Sequence, residues 1–112
     1  MTKEIRPKTV FVYRDEQGNE PYLDWLMSLK DRKTVERIRT RVRRLEGGLY
    51  GDCEPVGSGV FELRLFFGAG YRVYFGEDGS KIVILLCGGD KSTQKKDIKA
   101  AKAYWQEYQK ND

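Results

Sequence analysis

The sequence predicts one α+β domain over residues 1–112, and three observations carry that expectation. A short β-type run near the start is followed by two stretches with helical spacing. Three further β-type runs then follow one another, separated by glycine-containing turns. A last helical stretch closes the chain. Runs of strands segregated from runs of helices point to α+β rather than to alternating βαβ units. The expected order is an N-terminal strand, a helical hairpin, a three-stranded antiparallel meander completing a small twisted sheet, and a C-terminal helix.

Each element has its own warrant. Thr9 to Arg14 (TVFVYR) is rich in β-branched and aromatic residues and reads as a strand. The acidic DEQGNE closes it, and Pro21 suits the first turn of a helix. Tyr22, Leu23, Leu26 and Leu29 recur at helical spacing. Asp31 is placed to cap a second helix whose stripe is Val35, Ile38, Val42 and Leu45, and Gly47 and Gly48 stop it. So short a connection predicts an antiparallel hairpin. Leu49 to Ser58 (LYGDCEPVGS) reads as a loop. Val60 to Phe67 alternates, with Phe61, Leu63, Leu65 and Phe67 facing the helices and Glu62, Arg64 and Phe66 facing away. After Gly68-Ala69-Gly70, Tyr71 to Phe75 returns with Arg72 and Tyr74 outward, which sets Arg64 across from Arg72. Glu77-Asp78-Gly79 makes the next hairpin turn. Lys81 to Cys87 is apolar on both faces, as a central strand should be. The last helix, from about Ser92 to Tyr108, carries Ile98, Ala101, Trp105 and Tyr108 on one stripe. The sheet face away from the helical hairpin is expected to stay partly open and to carry Arg64, Arg72, Tyr74 and Phe66.

Composition bounds the function. Hydrophobic residues are 39% and charged residues 34%, which is globular rather than disordered. The longest apolar run, Ile82 to Cys87, is too short to span a bilayer, and the first residues carry no apolar signal core, so the expected compartment is the cytoplasm, with no membrane partner. Two cysteines, Cys53 and Cys87, and no histidine make a zinc site an unpromising reading and fit a reducing setting. Net charge is only +4, but it is unevenly spread. Between Asp31 and Arg44 there are seven basic residues against two acids, and a second cluster runs Lys91, Lys95, Lys96, Lys99, Lys102. Nucleic acid or an acidic protein is the natural partner of such clusters, although either one alone is more simply a solvated helix face.

Two arginines facing each other on a sheet repel, and a fold tolerates this best where a polyanion will rest. Guanidinium groups hold phosphate oxygens bidentately and stay charged. Asp90 and Lys91, delivered by the end of the central strand, supply a candidate proton acceptor and a candidate acid or base. Gln94 would hydrogen-bond a base or ribose, and Tyr74 and Phe66 would stack a nucleotide. Lys95 and Lys96 would add phosphate contacts. The structural alternatives are definite: Arg72 pairing with Glu62 across the hairpin, and Asp90 capping the last helix.

The hairpin carrying Glu62-Leu63-Arg64 and Gly70-Tyr71-Arg72 resembles that of the RelE/ParE toxin superfamily. LLCGGDKSTQKKDIKAAKAYW, Leu85 to Trp105, resembles the C-terminal signature of its HigB-like branch, the phage-associated addiction module killer proteins, and Asp24-Trp25-Leu26 resembles that family's first helix. The resemblance implies a RelE-like fold over most of the chain and the toxin half of a type II toxin–antitoxin module. It implies an mRNA endoribonuclease acting in the ribosomal A site with no cofactor and no metal: the 2′-hydroxyl attacks the adjacent phosphate, leaving a cyclic phosphate and a 5′-hydroxyl. The implied partner is a helix-turn-helix antitoxin encoded alongside. By motif match Arg72 inherits a phosphate-stabilising role, and Arg64 matches a basic strand position. The tyrosine that the RelE group places near the scissile phosphate is replaced here by Lys95-Lys96-Asp97. Two other readings share the same fold or surface: a ParE-like poison of DNA gyrase, and a non-toxic prophage remnant that only binds an antitoxin.

Overall fold

The structure, a computed structural model, describes residues 7–111. It contains β1 (Thr9–Val12), α1 (Pro21–Ser28), α2 (Arg32–Glu46), β2 (Cys53–Gly57), β3 (Val60–Leu65), β4 (Tyr71–Asp78), β5 (Ile82–Gly89) and α3 (Gln94–Lys110). A single 3-10 turn, Lys91–Thr93, leads into α3. The α+β class and the order of elements are as the sequence predicts, with one addition. The stretch expected to be all loop contains β2, which pairs antiparallel with β3 from Cys53↔Leu63 to Gly57↔Val60. Pro55 and two glycines hide this strand from propensity reasoning. It lies at the sheet edge, where proline is tolerated, and its pairing shifts register between Pro55 and Gly57.

The five strands run β1-β5-β4-β3-β2. Only the β1–β5 pairing is parallel, with Thr9 opposite Ile82 and Val12 opposite Leu85. The hairpin register is the expected one, Arg64 directly across from Arg72. Asp31 departs from expectation: its carboxylate makes no hydrogen bond to a backbone amide of α2 and instead accepts from the Thr34 hydroxyl at 2.7 Å.

Two cores sandwich the sheet. Under α1 and α2 lie Tyr22, Leu26, Ile38, Val42, Leu45, Leu63, Leu65, Val73, Phe75, Val83 and Leu85. Under α3, on the other face, lie Tyr13, Val60, Tyr74, Ile84, Leu86, Cys87, Ala101 and Trp105. The expectation of a partly open sheet face is therefore overturned. The apolar stripe of α3 must be buried against something, and it packs onto the face of β4 and β5 opposite the helical hairpin. That also explains why β5 is apolar on both faces. A register shift between Tyr74 and Phe75 makes Leu86 an extra residue on β5, so that consecutive Leu86 and Cys87 both enter the core beneath α3.

Two glycines let the tryptophans of these layers approach the backbone. A Cβ at Gly88 would lie 2.2 Å from the Trp25 ring, and one at Gly76 would lie 2.4 Å from the Trp105 ring. Trp105 is 4% exposed and has no room to retreat. Gly76→Ala is therefore expected to destabilise the fold by about 1–3 kcal/mol through overpacking. Gly47→Ala has ordinary clearance, 3.6 Å to the Arg44 carbonyl oxygen, and a negative φ of −86°. It should shift stability by less than about 0.5 kcal/mol. Paired urea titrations of the two variants check this, and equal losses would count against the packing account.

Candidate functional site

The site is built on the β3–β4 hairpin where α3 begins to cover it. Alternation along β3 puts Glu62 and Arg64 on one face, and the antiparallel register sets Tyr74 opposite Glu62 and Arg72 opposite Arg64. The four side chains form two adjacent rungs. Gln94, the first residue of α3, closes over them.

Glu62 is at the centre and its side chain is fully buried. Arg64 Nε donates to its Oε1 at 2.8 Å. The Tyr74 hydroxyl and Gln94 Nε2 each donate to its Oε2 at 2.9 Å. Arg72 Nε stands 3.5 Å from the same oxygen, close enough for an ion pair but without hydrogen-bond geometry, and it is buried with no other acceptor. Arg72 Nη1 donates to the Gly70 carbonyl at 2.8 Å. Burial pushes the Glu62 carboxyl up, but the hydrogen bonds from Arg64, Gln94 and Tyr74 outweigh it, and the group is held below its ordinary value near 4.5. The same arrangement acts oppositely on its donors. Burial first, and Glu62 second, raise the Tyr74 phenol, while the bond to Glu62 raises the Arg64 guanidinium further.

The sequence-predicted residues divide on this frame. Arg64, Arg72, Tyr74 and Gln94 are brought together. Arg72 does pair with Glu62, which was the structural alternative to a phosphate role. The outward, stacking role expected of Tyr74 is corrected: α3 covers the ring, its exposure is 0%, and its hydroxyl is committed to Glu62. Gln94 likewise holds Glu62 rather than standing free. Asp90 caps the turn into α3, accepting from the Ser92 amide at 2.8 Å and from the Ser92 hydroxyl at 2.5 Å. Its own amide completes a capping box with Thr93. Lys91 is exposed and follows the turn around Gly70, its amide donating to the Ala69 carbonyl at 3.3 Å. A Cβ at Gly70 would sit 3.4 Å from Lys91 Cβ and 3.6 Å from Arg72 Nη1, so Lys91 and Arg72 flank the same glycine. Phe66 is 77% exposed and lies beyond the end of β3, on the α2 side. Lys95 and Lys96 lie exposed on the first turn of α3.

Glu62 is the residue that sequence reasoning undervalued. The available signal was a carboxylate on the same strand face as Arg64, diagonal to Arg72. Asp97 is a second half-buried carboxyl nearby. Its Oδ2 accepts from the Thr93 hydroxyl and occupies the space that a side chain at Gly89 would need. Burial foremost raises the Asp97 carboxyl despite that hydrogen bond.

Fold and site together define a small α+β protein with two opposed arginines organised by one buried carboxylate. No family model matches the chain. A protein of Haemophilus influenzae, described as an uncharacterized protein, is 52% identical over 83 residues, which are 74% of this chain and 84% of that protein. The chain belongs to the same family as that Haemophilus influenzae protein. Among the described residues no helix is long and apolar enough to cross a membrane, and no group of three or more acidic or cysteine side chains is placed to hold a metal ion.

Because the folded-state pKa of Glu62 is depressed, its contribution to stability is fully present above the unfolded value, near 4.5, and is lost as pH falls through the lower folded value. Asp97, with a raised pKa, acts in the opposite sense, so a variant comparison is needed to isolate Glu62. Glu62→Gln should lower stability at pH 7 by about 3–5 kcal/mol, since two guanidinium groups lose their buried counter-charge. It should also flatten the fall in stability below pH 4.5. Urea midpoints at pH 7 and at stepwise lower pH measure both effects; identical pH slopes would remove Glu62 from the centre of the cluster.

Proposed function

We propose that this chain has the RelE-like fold of the RelE/ParE superfamily and is the toxin of a type II toxin–antitoxin module. In this reading it cleaves mRNA in the ribosomal A site and is neutralised by a helix-turn-helix antitoxin. The observation that carries the proposal is the Arg64–Arg72 rung. Both guanidinium groups are held from behind by Glu62 through or near their Nε atoms. Among the described residues no hydrogen bond occupies the Nη atoms of Arg64 or Nη2 of Arg72. Those are the donors a phosphate would use.

In the reaction proposed, the ribose 2′-hydroxyl attacks the adjacent phosphorus in line. The bond to the 5′-oxygen breaks, and a 2′,3′-cyclic phosphate and a 5′-hydroxyl result. Arg72 and Arg64 stabilise charge on the equatorial oxygens, a preorganised role because Glu62 fixes both before substrate arrives. Tyr74 is a positioning residue through Glu62, not a stacking platform. Lys91, exposed and near Arg72, would give a proton to the leaving oxygen. Asp90 fixes the turn that presents Lys91, and its carboxylate is the remaining candidate base. Lys95 and Lys96 add phosphate contacts on ribosomal RNA. Gln94 acts on the substrate only through the position it gives Glu62.

Arg72→Ala tests the reading. RNA cleavage and growth arrest should fall by about 10²–10³-fold, as when one preorganised donor is removed. Arg72→Lys should fall between the two, because it keeps the charge and loses the fork. Primer extension on cellular mRNA after induction, with thermal melts of the purified variants, provides the measurement. Full toxicity of Arg72→Ala would overturn the proposal, as would an SOS response with intact mRNA, which would instead indicate a gyrase poison.

A further inference from the structure

A second basic surface lies beside this rung and shares only Arg64 with it. An open groove of about 560 Å3 runs between α2 and the end of β3. Arg37, Arg41 and Arg44 form one wall, and Arg64 and Phe66 stand on the other. Steps of four and three residues put the three arginines on one stripe of α2, spread over about 10 Å of helix at ~1.5 Å per residue. Among the described residues the carboxylates lining the groove are those of Glu36 and Asp52.

Arg41 is the most constrained of the set. Its Nη2 donates to the Asp52 carbonyl at 3.2 Å, while its Nη1 is buried without a hydrogen-bond partner. Burial, and then the neighbouring Arg44, lower its pKa. Crowded cations and an unused guanidinium donor are what an anionic occupant would relieve. The opposite wall ends in Phe66, an aromatic ring 77% exposed.

We propose that this groove binds single-stranded RNA, with backbone phosphates along Arg37, Arg41 and Arg44 and a base stacked on Phe66. The identity of the strand rests on the RNA-cleavage reading. Arg64 belongs to both surfaces, so a strand whose scissile phosphate lies on the Arg64–Arg72 rung enters the groove without a gap. The exposed ring beside the arginines favours a nucleic acid over an acidic polypeptide, because every base offers a π-face to it.

The test is binding of a six-nucleotide, fully 2′-O-methylated RNA, which lacks the attacking hydroxyl and so reports binding without cleavage. Fluorescence anisotropy would be followed across a salt series with the full chain. Arg37 and Arg44 are both exposed, and R37Q/R44Q should fold normally by circular dichroism. It should bind about tenfold or more weakly at ~0.1 M salt, with the log–log salt slope shallower by about 1.4 units for two lost single-strand phosphate contacts. Phe66→Ala should weaken binding by about fivefold or more with the slope unchanged. Unchanged affinity and slope in R37Q/R44Q would overturn the proposal. So would a glutamate hexapeptide that binds as tightly as the oligonucleotide, since that would make the groove a protein-docking surface. If the wild-type chain binds through the groove yet cleaves no RNA in cells, the groove stands and the cleavage reading falls. If it cleaves RNA while R37Q/R44Q binds normally, the reverse holds.

Discussion

One buried carboxylate organises the β3–β4 hairpin and the start of α3. Two arginines facing each other on neighbouring strands would repel, and Glu62, one step along the same face, offsets that repulsion where β3 and β4 pair. The cost of removing Glu62 from water is met by charge-assisted hydrogen bonding and by the tyrosine and glutamine that fill its remaining lone pairs. The partners come from three elements: Arg64 from β3, Tyr74 and the ion-paired Arg72 from β4, and Gln94 from α3. The cluster is therefore a joint as well as a site. It fixes where α3 starts, and α3 in turn seals it from solvent.

The second core follows from the same constraint. Trp105 and Ala101 pack α3 onto the sheet, and Gly76 provides the flat backbone that the indole needs. This layer closes most of the face that would otherwise be open. The end of the sheet near the Gly68–Gly70 turn stays accessible, and there Arg64, Arg72 and Lys91 gather. The arginine rung is thus an edge feature, bounded by α3, rather than part of a broad open cradle.

Much of this was legible in the sequence. The glycine turn and the alternation of Val60 to Phe67 were enough to set Arg64 across from Arg72, because antiparallel register follows from turn position. The apolar stripe of α2 was likewise readable from periodicity. What was not legible were the relations between elements. Tyr74 reads as an outward residue on β4, and it is; the error lay in supposing that outward meant exposed. Whether α3 covers that face depends on packing between segments some thirty residues apart, which periodicity does not carry. β2 escaped notice because its pairing, not its composition, makes it a strand. Pairing of Glu62 with Arg72 was readable from the hairpin, but a single strand pattern cannot show that three hydrogen-bond donors and a second guanidinium converge on it.

The charge of the molecule is arranged in two tiers, and the difference between them is physical. At the Arg64–Arg72 rung the guanidinium groups are compensated from within, so they are oriented and their Nε edges are spoken for. Along α2, no ion pair among the described residues holds the arginines; they rest on the helix and on contacts such as that of Arg37 over the Phe67 ring at 3.8 Å. Compensated cations give geometry at the expense of long-range field; uncompensated cations give field with little geometry. A surface that must first attract a polyanion and then hold one of its phosphates in a defined pose needs both kinds, side by side. Arg64 stands at the boundary, tied to Glu62 on one edge and lining the α2 groove on the other. That dual membership turns two basic patches into one continuous track.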